Sequence, residues 1–332
     1  MKRRDFLKTS LALAALVSLR PAGARSAEGA GKGAAAGAAA ATGAAGASGA
    51  AAAAKARVYT AKVGAAAGGA ATGGAAEALK QLLAPLGGIA AFVKPGNRVM
   101  LKPNFSFSTA PEVGTSTTPE VVRELAIMCR EAGAGSIVVC DNTIKNAQTC
   151  LERTGIQAAL KGLDRVKIAV PQKGPEFEEV EIPKGLALKQ TKLARELVDC
   201  DVYINVPTAK SHSATRVSFG LKGQMGLIQD RTSFHWKYDI HQAIADLATV
   251  AVADLTILDA TRCLQTGGPG GPGKVVNTGI LACSTDPVAI DAYGTTLVDW
   301  QDEPTRPEDV KHIVAAAAHG LGVADLAGIA IL

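Results

Sequence analysis

The sequence predicts an α/β fold, a mostly parallel or mixed sheet flanked by helices. Short apolar runs rich in Val and Ile alternate with segments of helical period, the pattern of strands buried on both faces and covered by helices. Several of these runs also break abruptly into polar residues. In an open α/β sheet ligands bind beyond the carboxyl ends of the strands, so those breaks are where chemistry is sought first.

In chain order, the amino-terminal residues read as an export signal. Lys2-Arg3-Arg4-Asp5-Phe6-Leu7-Lys8 precedes the apolar stretch Leu11 to Val17, and Arg20-Pro21-Ala22-Gly23-Ala24 follows. An arginine pair before a short, weakly apolar core is the twin-arginine form of a signal peptide, with cleavage expected after Ala24. The apolar run is too short to span a bilayer. The expectations are delivery to the periplasm by the twin-arginine translocase and no stable membrane span after processing.

Residues 25–56 are almost only Ala and Gly, with few side chains that could bury area and offset the entropy of ordering. They are expected to form a disordered tether, with an Ala-driven helix as the alternative. The remaining residues, 57–332, suffice for a large core. The formal charge of +5 comes mostly from Lys2, Arg3, Arg4, Lys8 and Arg20 against Asp5; without them 30 cations face 29 anions. Near-neutrality argues against a nucleic-acid footprint.

Strands are expected at Val58 to Val63, Arg98 to Lys102, Ser136 to Cys140, Lys167 to Val170, Val202 to Val206, Leu255 to Leu258, Gly279 to Ala282 and Gly328 to Ile331. Helices are expected from Thr118-Pro119-Glu120, Asp286-Pro287 and Arg306-Pro307-Glu308, each with proline at the entry. The acidic, Pro-bounded segment from Lys173 to Pro183 reads as an inserted hairpin or edge strand. Cys129, Cys140, Cys150, Cys200, Cys263 and Cys283 are widely spaced with no Cys-x-x-Cys, so an intrinsic iron–sulfur cluster or a zinc ribbon is not expected. Buried, inert thiols are expected instead.

The candidate site gathers the polar residues that end these strands: Lys102 and Asn104, Asp141 and Asn142, Asn205 with Lys210 and His212, and Asp259. Lysines and a histidine on one rim suit a carboxylate or phosphate. The run Gly114 to Pro119, with Thr117, adds hydroxyls and N–H groups at a helix entry, a ready anion seat. Phe219 to Gly226, with Lys222, is glycine-punctuated but lacks Walker spacing, and it reads either as a ligand-approaching loop or as a connector. The Gly- and Pro-rich run Gly267 to Gly273 reads as a lid or a surface loop.

Lys102, Asn104, Thr117, Asn205, Lys210, Lys222 and Asp259 are thus expected to bind ligand, with Asp141 and His212 as acid/base groups. A divalent metal is the alternative. His212 and Asp141 lead that set, with His235, His241, Asp246 or Asp259 as further donors, although no His-x-x-x-His or His-Glu-x-x-His pattern is present. His312 and His319 read as structural.

These motifs resemble the domain-of-unknown-function 362 family over essentially all of Val58 to Leu332. The residues that carry the resemblance are Val99 to Asn104, Thr117-Thr118-Pro119-Glu120, Asp141, Ile204-Asn205-Val206-Pro207 with Lys210 and His212, Leu221-Lys222-Gly223, Ala245-Asp246-Leu247, Gly267-Gly268-Pro269 and Asp286 to Asp291. The resemblance implies a mixed α/β domain, joined in some relatives to ferredoxin modules, and no agreed activity. This chain lacks the cluster-binding cysteine run, and it has Gly223 where the family usually shows Asn. Two functions are therefore expected as alternatives. One is an exported protein with a cleft for a small anionic ligand, with or without metal assistance. The other is a non-catalytic ligand- or metal-binding module serving a separate ferredoxin-like partner.

Overall fold

The Val- and Ile-rich runs form strands, and most of them join one 11-stranded sheet. The computed structural model describes residues 55–64 and 74–332. The expected signal peptide and the expected tether up to residue 54 lie outside the described residues. The strands are β1 (Ala56–Lys62), β2 (Arg98–Pro103), β3 (Ser136–Cys140), β4 (Val166–Ala169), β5 (Phe177–Glu181), β6 (Gln190–Ala194), β7 (Val202–Val206), β8 (Thr208–His212), β9 (Arg216–Ser218), β10 (Leu255–Leu264), β11 (Val275–Val276), β12 (Ile280–Ser284) and β13 (Ile329–Ile331).

The sheet runs β13-β1-β12-β10-β7-β2-β3-β4, with β8 and β11 attached to β10 and β9 attached to β8. Strands β10, β7, β2, β3 and β4 are mutually parallel, whereas β12 lies antiparallel between β1 and β10. The fold is therefore α/β with a mixed sheet. Its two faces follow from strand alternation. Val99 and Leu101 join one apolar layer with Ile137, Val139, Ile204 and Ile257, while Met100 joins the other with Tyr203, Leu258 and Ala282. Each fully buried aliphatic side chain contributes about 1.5–3 kcal/mol.

Among the described residues five longer helices cover the sheet: α1 (Ala75–Leu83), α2 (Pro119–Glu131), α3 (Ile240–Ala248), α4 (Pro287–Thr295) and α5 (Lys311–Ala318). Helices α1 and α2 supply Leu79, Leu82, Val122 and Leu125 to the first layer, and α3, α4 and α5 pack on the second. Helix α4 starts as the sequence predicts, because Asp286 Oδ1 accepts the N–H groups of Val288 and Ala289 at 2.9 and 2.8 Å. The Arg306-Pro307 entry gives only a 3-10 turn, Pro307–Asp309, which Asp309 closes by accepting the Arg306 N–H at 2.9 Å. The helix proper starts afterwards, at Lys311.

The segment expected as an insertion, Lys173 to Pro183, supplies one strand, β5, of a hairpin whose second strand, β6, lies beyond it, and the two form a separate two-stranded sheet. Its connecting loop is clasped by Asp246, whose Oδ2 accepts the N–H groups of Leu186, Ala187 and Leu188 at 2.7–2.9 Å. The other oxygen of Asp246 meets His319 Nε2 at 2.7 Å, so His319 is structural, as expected, but has a definite partner. All six cysteines are buried and free.

Candidate functional site

Strand alternation builds the site wall. Lys210 and His212 are two residues apart on β8 and share a face, and β9 places Ser218 opposite Lys210. All three line a cleft of about 750 Å³. Ser211, on the opposite face, accepts the N–H of Gly268 at 3.0 Å and so fastens the Gly-rich loop to the sheet. That loop is a packed rim contributing Pro269 to the cleft, since a Cβ on Gly268 would lie 1.9 Å from the Ser211 carbonyl oxygen.

The floor is a buried ion pair. Lys102 follows Met100 by two positions, next to last in β2, with its side chain fully buried; its Nζ lies 3.1 Å from Asp141 Oδ1. The second oxygen of Asp141 accepts the Phe105 N–H at 2.9 Å and lies 2.8 Å from Ser106 Oγ. Gly226 lies against this pair so closely that a Cβ there would sit 2.0 Å from Asp141 Oδ1. The glycines of the Phe219 to Gly226 run thus permit approach to the protein's own charges.

The same run forms a short helix, Gly220–Gly223, and a 3-10 turn, Gln224–Leu227, both buried. Asp291 on α4 accepts the Gly220 and Leu221 N–H groups at 2.8 and 2.9 Å, and Asn205 Nδ2 donates to the Gly220 carbonyl at 3.0 Å. These contacts hold the turn that carries Lys222 into the cleft. Burial pushes the Asp291 carboxyl up to about 7, against the two N–H groups that favour its charged form.

Of the residues expected to bind ligand, Asn104, Lys210 and Lys222 line the cleft together with Asp141 and His212. Lys102 lies beneath, neutralising Asp141. Three others are away from the cleft lining. Asn205 positions the Lys222 turn. Thr117 Oγ1 accepts the Asn104 N–H at 2.9 Å and donates to the Val206 carbonyl at 2.7 Å. Asp259 is not at a strand end, because pairing with β8 and β11 extends β10 to Leu264. Its Oδ2 accepts the Thr118 N–H at 2.7 Å, so the expected anion seat at the start of α2 already holds the chain's own carboxylate.

Sequence reasoning missed Arg231, which also lines the cleft, and it offered His235 as a metal donor only, whereas the ring lines the cleft beside His212. Arg231 donates to the carbonyls of Asn142 and Thr143 at 2.9 and 3.0 Å. It follows the glycine-punctuated run and precedes a short helix, Thr232–Trp236, with no strand end to mark it. Trp236, 84% exposed, stands at the rim.

The electrostatics are one-sided. Lys210, Lys222 and Arg231 face the cleft, and its one lining carboxylate, Asp141, is already paired. Burial lowers Lys210 and Lys222 to about 7, with Lys102 opposing the charge of each and Arg231 also opposing that of Lys222. Lys210 donates to the Thr115 carbonyl at 2.6 Å and lies 5.0 Å from the Phe107 ring centroid. Lys222 has no hydrogen-bond or ion-pair partner among the described residues.

His212 Nδ1 accepts the Ala214 N–H at 3.1 Å, which puts the proton of the neutral ring on Nε2. Burial, then Lys222 and Lys210, lower its pKa to about 2, so it is a neutral donor at physiological pH. Its ring stacks at 6.4 Å on His235. The wider metal set does not assemble: His241 stacks at 5.9 Å on His312, Asp246 holds His319, and Asp259 serves Thr118. Among the described residues no three His, Cys, Asp or Glu side chains come close enough to hold a metal ion.

Fold and site define an α/β domain with a cationic cleft beyond the carboxyl ends of its parallel strands. The chain belongs to the family described as domain of unknown function (DUF362), whose model matches residues 99–296. It is 31% identical over 239 residues to a thylakoid-associated protein of Synechocystis sp., covering 69% of this chain and 71% of that one. Among solved structures it is similar to a Thermotoga maritima protein, with a TM-score of 0.41 and 14% identity over 60% of this chain and 54% of that one. It is also similar to the lactate racemase apoprotein of Thermoanaerobacterium thermosaccharolyticum, with a TM-score of 0.43 and 13% identity over 72% of this chain and 56% of that one. The chain spans little more than half the length of both structures. Among the described residues no helix is long and apolar enough to cross a membrane.

Proposed function

We propose that the cleft binds a small anionic ligand, a phosphate or carboxylate compound, and that the leader delivers the protein to the periplasm through the twin-arginine translocase. The observation that carries the ligand reading is the charge imbalance: three cationic side chains face about 750 Å³ of cleft, whose one carboxylate is neutralised by a lysine beneath it. An anion there gains charge-assisted hydrogen bonds in a low-dielectric setting, and it restores charge to lysines that burial otherwise discharges. Lys210 and Lys222 supply that charge, while Asn104 and the His212 Nε2–H supply neutral donors.

The donor set favours an anion over a metal cation. Asp141 is committed to Lys102, Phe105 and Ser106, and His212 presents a proton rather than a lone pair. A thermal-shift screen of phosphate, pyrophosphate and small carboxylates tests the reading, since a ligand bound to the native state alone raises stability by mass action. Stabilisation of the wild type, lost in Lys210→Met and Lys222→Met, is expected. Equal responses in all three proteins would defeat it.

A further inference from the structure

Lys222 and Lys210 share the cleft, but their surroundings differ. The Lys210 ammonium is tied to the Thr115 carbonyl at 2.6 Å and rests beside the Phe107 ring, contacts that suit a fixed cation. Lys222 is only 8% exposed, faces the same cleft and has no polar partner among the described residues. Its backbone is nevertheless held firmly, by Asp291 through two N–H groups and by Asn205 through the Gly220 carbonyl. A fixed backbone carrying an unpartnered amine into a cleft is the arrangement of a nucleophile.

We propose that Lys222 condenses reversibly with a small carbonyl compound that also bears an anionic group, forming an imine inside the cleft. The inference rests on the anion reading above and names the ligand class more narrowly. The neutral Lys222 amine attacks the carbonyl carbon, forming a C–N bond while the C=O π pair moves to oxygen. A proton passes from the new ammonium nitrogen to that oxygen, giving a carbinolamine. The C–O bond then breaks with a proton donated by the Lys210 ammonium, water leaves, and the nitrogen lone pair closes the C=N bond. Charge balances, because the cation on Lys210 is replaced by the iminium, and Lys210 regains its proton from solvent. Burial, which brings both lysines to about 7, supplies free amine on one and an acid on the other at neutral pH.

The test uses the full chain, glyoxylate as the anionic carbonyl probe, propionaldehyde as its neutral counterpart, and cyanoborohydride to trap the imine before peptide mapping by mass spectrometry. The peptide carrying Lys222 is expected to gain the mass of glyoxylic acid less one oxygen, ahead of exposed lysines such as Lys237 by at least about tenfold, because an ordinary lysine is almost wholly protonated at neutral pH. Phosphate should slow that labelling, and propionaldehyde should label Lys222 more slowly than glyoxylate does. Lys222→Arg, which keeps the charge, should lose the adduct while retaining the circular dichroism of the wild type. Stabilisation by phosphate with Lys222 unmodified, or with adducts spread evenly over exposed lysines, overturns the imine and leaves the anion cleft standing. Equal labelling of Lys222 by both aldehydes, with no stabilisation by phosphate, overturns the anion reading and with it the ligand class proposed here.

Discussion

Replacing Gly226 with alanine tests the floor of the cleft with one methyl group. The added carbon would lie 2.0 Å from Asp141 Oδ1 and 2.9 Å from Lys102 Cε and Nζ, against an ordinary contact beginning near 3.4 Å. The carboxylate or the turn must therefore move by roughly 1.4 Å, while the pair it disturbs is fully buried and separated by 3.1 Å. Overpacking alone costs about 1–3 kcal/mol, and uncoupling a buried ion pair costs about 3–5 kcal/mol. A loss of about 2–5 kcal/mol follows, which lowers Tm by about 4–20 °C in a domain of this size. The matched control is Gly223→Ala, three residues earlier in the same run. Gly223 has helical dihedrals, φ −58° and ψ −27°, and its nearest foreign atoms would be 3.8 Å from the new carbon. It should be neutral or stabilising by about 0.4–1 kcal/mol, through the unfolded chain. Thermal and urea unfolding of both variants measure the difference. If Gly226→Ala melts like the wild type, or Gly223→Ala falls as far, the contact argument is wrong.

Lys102→Met removes one partner of the pair and strands Asp141 with only its two remaining donors, so urea unfolding should register a loss of about 3–5 kcal/mol; a loss below about 1 kcal/mol would mean the pair is not buried as described. In the absence of ligand, stability should rise with pH between about 7 and 8.5, because Lys210 and Lys222 stay protonated in the unfolded chain over that interval but not in the folded one; above it the buried thiols of Cys129, Cys263 and Cys283, pushed up to about 12 by burial, oppose the rise. On the acid side His312 is buried with neither ring nitrogen partnered, and its pKa is lowered to about 3 by burial, then by His241 and Lys222. At His312 unfolding takes up a proton below about 6.5, a contribution that lowers stability as pH falls and that Asp291, held up at about 7, opposes; the urea midpoints of His312→Phe should therefore lose less than those of the wild type between about pH 6.5 and 4, and an unchanged slope would remove His312 as a cause. For the leader, Arg3→Lys with Arg4→Lys should abolish recovery of the protein from the periplasmic fraction, and unchanged recovery would refute the twin-arginine reading.

Strand positions were legible because an apolar run buried on both faces leaves a direct compositional trace, and the helix entry at Asp286-Pro287 was legible because capping is local chemistry. The ends of elements were less so. Strand β10 passes through Asp259 because β8 and β11 pair beside it, a long-range event that composition does not record. For the same reason Asp259 and Asn205 read as ligand contacts: a polar residue after an apolar run looks alike whether it faces a cleft, caps another helix or holds another turn. Lys210 and His212 were found because one strand carries both at a spacing of two, which fixes their common face. Arg231 was missed because nothing local marks a residue brought in by the fold from beyond a buried turn.

The anion cleft is tested most directly by titrating phosphate into the protein at pH 8 in buffers of different ionisation enthalpy and following the heat. Lys210 and Lys222, held at about 7 by burial, are mostly neutral at that pH, and an anion bound between them favours their charged forms. The account predicts binding with net proton uptake, seen as a heat that varies with the buffer, and a smaller uptake in Lys222→Met. Absence of binding, or binding whose heat is the same in every buffer, would contradict it.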